Sequence, residues 1–433
     1  MRLQTEALHV AFNEEDKRWT LQLRKNGHTA TEVFDKLVLA TGINKLPLMP
    51  RIDGLDAFEG EVVHSAGYKR LDERRATSVI TKSLPEFANE CLCRPEPFKD
   101  KTILVVGLSN SAADTATTLV GHAKQLPRFM EGTPMDHVFT HRKGVVLETI
   151  QAFAPWLANK MMRNFLTAST RKAFPELPQD WDLSTAPLPT RAPPIISEHL
   201  IPEILAGNIT LVKGLKRVVG RTTIQLEDGQ ELEVDAILFC TGYKADFSLA
   251  GPYDPTLEQP QGWVDSVGSN SRALPKLYRN IFSLQLPHHL AFIGTIAFAS
   301  PAFLVYDLAS MALARIWSGQ HSLPGMDEMT AQVERQHQWL TSLAAEGTVI
   351  PAWVQGAEWM AWADKAAGPG VLTRIGYGFS AWMLWMKDRQ LSKVLLDGIP
   401  SPHQFRLFEN GQTRIWSGAR DEILRINSAT SDQ

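Results

Sequence analysis

Two stretches of this chain have residue types and spacing suited to holding a phosphorylated coenzyme. The first runs from Lys101 to Asp114. Thr102–Val106 is apolar and β-branched, Gly107 follows at once, and Ser109, Asn110 and Ser111 open a segment with helical spacing to Val120. Strand, glycine turn and helix start together make the shape of a dinucleotide-binding βα unit. Gly107 permits the tight turn, and the helix N-terminus offers N–H groups and partial positive charge to a pyrophosphate. Ser109 and Ala112 stand where the second and third glycines of the fingerprint would be, and both are small. The other reading of this stretch is an ordinary βα turn. The second stretch is Val138-Phe139-Thr140, a short strand predicted to end in His141-Arg142-Lys143. An acidic residue at that place holds the ribose 2′-OH of NAD, and a basic one accommodates the 2′-phosphate of NADP. Arg142 therefore points to NADP, with a solvated basic turn as the alternative.

An internal echo surrounds these residues. Asp35 to Ala40 leads into Thr41-Gly42, and Asp235 to Cys240 leads into Thr241-Gly242. Each is an apolar strand ending in Thr-Gly, where glycine lets the chain turn sharply and approach a ligand or neighbour. The two echoes bracket 101–143, the pattern expected of an inserted domain with two crossing connections. Two merely similar buried strands would leave the same trace.

The positioning elements follow from periodicity. Leu8–Phe12 and Trp19–Leu23 alternate as strands around an Asn26-Gly27 hairpin turn, with a third strand predicted over Phe34–Ala40. Gly27 is the only glycine before Gly42, so no glycine-rich phosphate loop precedes the meander. A variable surface segment is expected over Arg70–Pro97, and irregular helices and loops over 150–200. Ile209–Val212, Thr222–Leu226 and Glu231–Cys240 read as strands. Leu290–Gly294 reads as a buried strand ending in glycine, and Tyr306–Trp317 and Met329–Ala344 as helices. Trp353, Trp359 and Trp362 read as packing residues.

Composition narrows the class. With 433 residues, 44% hydrophobic and 21% charged, the chain has the length for two or three globular domains. A formal net charge of −3 without like-charge blocks gives no nucleic-acid surface. Three cysteines, Cys91, Cys93 and Cys240, make neither a disulfide framework nor a paired metal motif, and a reducing, cytoplasmic setting is expected. Met1 runs straight into alternating sequence, so no leader is expected there, and Leu290–Tyr306, the longest apolar run, is too short and too interrupted for a membrane span.

Taken together, these pieces resemble the flavin-containing monooxygenases of class B, which use FAD and NADPH. Phe58-x-Gly60-x-x-x-His64-x-x-x-Tyr68 resembles the family's identifying motif at every required position. Tyr68-Lys69 favours the enzymes that oxidise nitrogen and sulfur over the related Baeyer–Villiger enzymes, which carry Trp there. Phe239-Cys240-Thr241-Gly242-Tyr243 resembles the second signature. Gln404-Phe405-Arg406-Leu407 and Trp416-Ser417-Gly418-Ala419-Arg420 resemble the C-terminal region.

The resemblance implies an α/β fold of two Rossmann-like dinucleotide-binding domains. The NADP domain, 46–244, is expected to be inserted in an FAD-type domain formed by 1–45 and 245–433. It implies that NADPH reduces FAD, that reduced flavin takes up O₂ as a C4a-hydroperoxide, and that one oxygen passes to an amine or thioether substrate. Gly107, Ser109, Asn110 and Ser111 would cradle the NADP pyrophosphate, and Arg142 would meet its 2′-phosphate. Phe58, Gly60, His64 and Tyr68 would brace the linker that presents NADP to the flavin, with a purely structural histidine as the other reading of His64. Thr41, Gly42, Thr241 and Gly242 would lie at hinges near the flavin. The chain departs from the family pattern in two ways. It is expected to begin after the glycine-rich FAD loop, and Ala309 and Met311 stand where the family has Gln and Arg. A truncated, catalytically impaired NADP-binding remnant and a Baeyer–Villiger-type monooxygenase are the competing readings, and weak or no FAD retention is the expectation for the chain as given.

Overall fold

The computed structural model describes residues 2–67, 98–107, 109–120, 129–130, 133–134, 140–179, 181, 183, 195, 197–376, 378–408 and 415–429. Tyr68, Cys91, Cys93, the segment Arg70–Pro97 and the strand expected at Val138-Phe139 lie outside the described residues.

A small parallel sheet and a small mixed sheet organise the chain, each covered on one face by an antiparallel sheet. Strands β1 (Thr5–Asn13), β2 (Arg18–Lys25) and β3 (His28–Phe34) form the first antiparallel sheet. Asn26 (φ 50°) and Gly27 (φ 82°) supply the left-handed pair that a tight hairpin demands. The expected third strand, Phe34–Ala40, is instead two elements. β3 completes the meander, and β4 (Leu37–Leu39) enters another sheet. β3 shows no period because almost every residue in it is exposed, so its pairing comes from the hairpin ladder with β2.

β5 (Leu46–Pro47) and β6 (Glu61–His64) follow, then β7 (Ile103–Val106) and the helix Asn110–Leu119. β8 (Phe129–Met130) and β9 (Thr133–Pro134) form a minimal hairpin. The helices His141–Phe153 and Pro155–Ala173 replace the irregular structure expected after 150. His141-Arg142-Lys143 thus open a helix. Thr140 is the N-cap and accepts from the Lys143 N–H, which turns the chain helical at that point.

A second antiparallel sheet comprises β10 (Leu215–Val218), β11 (Thr223–Leu226) and β12 (Glu231–Glu233). The strand expected at Ile209–Val212 is absent, because Leu211 and Val212 are exposed with no face to bury. Leu215–Val218 takes that role. β13 (Ala236–Phe239) lies between β6 and β7, parallel to both and wholly buried. Its Ile237 and Phe239 pack with Leu104 against Ile224 and Leu226 of the second antiparallel sheet, while Ala236 and Leu238 face Phe98 and Leu119.

β14 (Tyr243–Lys244) precedes β15 (Leu277–Tyr278), β16 (Phe282–Ser283) and β17 (Leu290–Phe292), whose sheet runs β15-β16-β17-β4 with β17 and β4 parallel. Leu37, Leu39, Leu290 and Phe292 pack with Val10 and Trp19 of the first antiparallel sheet. The opposite face meets the helices Ala302–Trp317, Met326–Ala344 and Gly356–Ala367, with Trp359 in that core and Trp362 packed against it. Among the described residues no helix is long and apolar enough to cross a membrane.

Candidate cofactor site

In open α/β sheets, ligands gather at the carboxyl ends of parallel strands. In β6-β13-β7 these ends are in register, with Phe239 opposite both His64 and Val106. Gly107 follows Val106 with φ 133°, and a Cβ placed on it would lie 2.5 Å from the Cys240 carbonyl oxygen. Only glycine permits that approach, so the turn and the end of β13 are locked together. Ser109 is the N-cap of Asn110–Leu119 in an extended conformation and makes no side-chain capping bond. The helix N-terminus thus keeps its dipole for an anion. Cys240 Sγ lies 3.6 Å from Thr115 Oγ1 and 3.8 Å from the Ser111 carbonyl, and burial pushes its thiol pKa up, so it is packing and not a nucleophile.

The two Thr-Gly echoes lead into a ribbon joining the parallel sheet to the mixed one. Tyr243 pairs with Pro47 and Lys244 with Leu46 in antiparallel register. The Lys45 N–H donates to Lys244 (3.0 Å), the Leu48 N–H to Gly242 (2.9 Å), and the Thr241 hydroxyl to the Leu48 carbonyl. The Thr41 hydroxyl reaches the Asp246 carbonyl at 3.5 Å. Gly42 (φ 70°) and Gly242 (φ 89°) are both left-handed, with open space where a side chain would project. Gly294 (φ 97°), just past β17, packs so closely on Gly42 that a Cβ would lie 2.8 Å from its Cα. Gly42 and Gly294 thus leave the carboxyl ends of β4 and β17 bare, a surface suited to a large planar group. Gly294 was visible in sequence as the close of a buried strand.

His64 ends β6 facing this ribbon. It is buried, its Nδ1 accepts from the Ala66 N–H at 3.0 Å, and its ring meets Tyr243 edge-on at 5.3 Å. Nε2 is buried beside the Gly242 backbone without a hydrogen bond of good geometry. Desolvation holds the imidazole below its usual pKa and therefore neutral.

Phe58 and Gly60 are not at this end. They precede β6, where a Cβ on Gly60 would lie 2.5 Å from the Asp235 carbonyl oxygen and Phe58 packs against Val218 and Ile224. The four residues of β6, at ~3.3 Å each, put them roughly 13 Å from the carboxyl ends. Their work is to seat β6 on the second antiparallel sheet. Arg142 is also engaged elsewhere: its Nε and Nη2 bind Asp397 Oδ1 and Oδ2 at 2.6 and 2.9 Å, tying the helix His141–Phe153 to the helix Arg389–Asp397. Asp397 carries no local signal in sequence that would pair it with a residue 255 positions away. Among the described residues, no cluster of His, Cys, Asp or Glu could hold a metal.

Residues 9–431 match the family described as flavin-binding monooxygenase-like. The chain belongs to that family. As a flavin monooxygenase it is 37% identical, over 99% of its own length and 79% of the relative's, to monooxygenase aurF of Gibberella zeae. It is 25% identical to flavin-containing monooxygenase 3 of Macaca mulatta, over 94% of the chain and 68% of the relative. Among solved structures, S-allyl-L-cysteine S-oxygenase from Allium sativum shares its fold, with a TM-score of 0.50 and 18% identity over 99% of this chain and 71% of that one. The fold is accordingly α/β with two Rossmann-type domains, and the protein is an oxidoreductase of the flavin-dependent monooxygenase type.

Proposed function

We propose that this flavin monooxygenase uses FAD and NADPH to transfer one oxygen atom of O₂ to a soft nucleophile, an amine nitrogen or a thioether sulfur, on a small molecule. One observation carries the reading: the glycine turn at Gly107 and the glycine pair Gly42 and Gly294 lie at the carboxyl ends of two sets of parallel strands, β6-β13-β7 and β4-β17, joined by one short ribbon. Residues 46–244 would bind NADP(H), and 1–45 with 245–433 would bind FAD.

When bound, the flavin supplies the redox chemistry, accepting hydride from the nicotinamide and activating O₂. The chain's own residues bind, orient and exclude water. Gly107 keeps the turn bare so that the amides at Ser109, Asn110 and Ser111 can meet the pyrophosphate. Thr41-Gly42 and Thr241-Gly242 set the ribbon, and so the spacing between the two nucleotides. His64, neutral and braced on Tyr243, fixes the ribbon's position against the NADP unit. Arg142 would take the 2′-phosphate only by releasing Asp397, so these two anions compete for one guanidinium.

The test supplies FAD, ¹⁸O₂ and either NADPH or NADH to the purified protein, with N,N-dimethylaniline, thioanisole and cyclohexanone as probes. The expected result is ¹⁸O in an N-oxide or sulfoxide, with NADPH preferred by roughly tenfold or more, the worth of one well-made phosphate contact. Label appearing only in a lactone from cyclohexanone overturns the soft-nucleophile assignment. Equal rates with NADH overturn the coenzyme assignment.

A further inference from the structure

The helix Phe379–Lys387 turns its large side chains away from the protein. Ala381 is its one buried residue, and Leu384 packs beside it against the main core. Phe379 is 72% exposed, and Trp382, Met383, Trp385 and Met386 are each between 44% and 55% exposed. At 3.6 residues per turn these five share one continuous arc of roughly 160°. The helix Gly356–Ala367 shows the ordinary arrangement, with Trp359 in the core and Trp362 packed against it. A contiguous apolar arc left in solvent marks a surface that meets something else.

Cations border the arc on both sides. The Arg389 guanidinium stands 4.5 Å from the centre of the Trp385 ring, at one edge. Lys387, one turn after Met383, is exposed at the other. Among the described residues neither cation forms an ion pair. The one acid between 379 and 393 is Asp388. It is spent within the protein: it caps the helix Arg389–Asp397 through the Leu391 N–H at 3.0 Å and pairs with Arg420 Nε at 2.6 Å. The edge of the arc is therefore positive, with no acid left to offset it.

These features select the partner. Tryptophan, phenylalanine and methionine on one face, with long cationic side chains at its rim, suit the boundary between lipid headgroups and acyl chains. A second copy fits poorly. A twofold contact through this face would set Lys387 and Arg389 against their own copies. The footprint of a nine-residue helix, about 14 Å by 12 Å, also falls well short of the ~800 Å² that each partner of a stable complex buries.

We infer that the helix Phe379–Lys387 docks this protein on the surface of an anionic lipid bilayer. The helix lies flat in the interface. Its apolar arc enters the headgroup boundary, and Lys387 and Arg389 reach the lipid phosphates. The contact is peripheral and needs no spanning segment. It does not depend on the cofactor reading.

The test sediments the full chain with vesicles of phosphatidylcholine alone, or of phosphatidylcholine mixed with phosphatidylserine. Binding to the mixed vesicles is expected to be at least about tenfold tighter, from two cations at about fivefold each, and to weaken as salt is raised. Trp382→Ser with Trp385→Ser should weaken binding to the mixed vesicles at least about tenfold, because two large apolar groups no longer leave water. Both positions are exposed, and circular dichroism checks that the variant is folded. Lys387→Gln should cost about fivefold on mixed vesicles and nothing on phosphatidylcholine. Phosphatidylcholine brominated in its acyl chains, added to the mixed vesicles, should quench tryptophan fluorescence of the unaltered chain. Trp382→Phe with Trp385→Phe, which keeps the apolar arc, should bind and lose that quenching. Absence of binding to the mixed vesicles overturns the inference, as does binding that the serine variant leaves unchanged. An oligomer that forms without lipid and is dissolved by the serine variant also overturns it, and gives this face to a second copy.

Discussion

The first antiparallel sheet (β1–β3) leads into β4 and Thr41-Gly42, and the second (β10–β12) leads into β13 and Thr241-Gly242. The order of parts is the same, and both strands pack one face on the sheet that precedes them. Their surroundings differ. β13 has a parallel partner on each side and every residue buried, whereas among the described residues β4 pairs only with β17, and its central Val38 is 41% exposed. The first meander is long, with strands of 9, 8 and 7 residues, and the second short, with 4, 4 and 3. A strand with two neighbours needs little cover to be stable, and one with a single neighbour leans on the sheet beneath it. The glycine turns divide in the same way. Gly107, beside β13, is clamped by backbone, whereas Gly42 and Gly242 open into space.

This contrast is open to direct attack. The largest effect is expected in the core. Phe239→Ala should destabilise by about 3–5 kcal/mol and Leu39→Ala by about 2–3, because Phe239 is fully buried with support on both sides. Urea unfolding measures both, and equal losses would remove the distinction between the strands. The glycines come next. Gly107→Ala meets both the φ of 133° and the Cys240 carbonyl, and about 3 kcal/mol or more is expected from strain and clash. Gly242→Ala meets only its left-handed φ, so roughly 1–2 kcal/mol should be lost.

The Arg142–Asp397 pair has a smaller effect on stability. Both side chains are about two-fifths exposed, so Asp397→Asn should cost no more than ~1 kcal/mol. If Arg142 serves the coenzyme, the same change should lower KM for NADPH a few-fold and leave that for NADH unmoved. A rise in KM for NADPH would show that Asp397 supports the site.

The smallest effect is in pH dependence. Burial holds His64 below its usual pKa, so the unfolded chain binds more protons wherever the pH lies between the two values. Stability from this group is therefore present above about pH 6.5 and lost as pH falls from there toward the lowered folded value. His64→Asn retains an acceptor for the Ala66 N–H and should flatten that fall. His141 and His337 are lowered by burial in the same direction, so part of the acid loss should persist.

Sequence legibility followed burial. The β7–Gly107–helix unit, β13 and β17 were readable because strand, turn and helix each follow from local chemistry. β3 was not, since a strand exposed on both faces has no hydrophobic period. The local structure at Arg142 was not readable for a different reason. A basic residue after a short apolar run looks the same at a strand end as in the first turn of a helix capped by Thr140, and only the partner Asp397 tells them apart. Phe58 and Gly60 belong to the same motif as His64, but a motif running along a strand spans the sheet, and its two ends do different work.

The central claim is that the helix start after Gly107 receives a pyrophosphate. Ser109→Asp tests it most directly. Aspartate caps a helix as well as serine does, so the fold should be retained, while a carboxylate is placed where the phosphates would lie. Calorimetric titration of NADP⁺ into both proteins is expected to show at least about tenfold weaker binding to the variant, from one added like charge at close range, with an unchanged unfolding midpoint. Equal affinity in a folded variant would contradict the account.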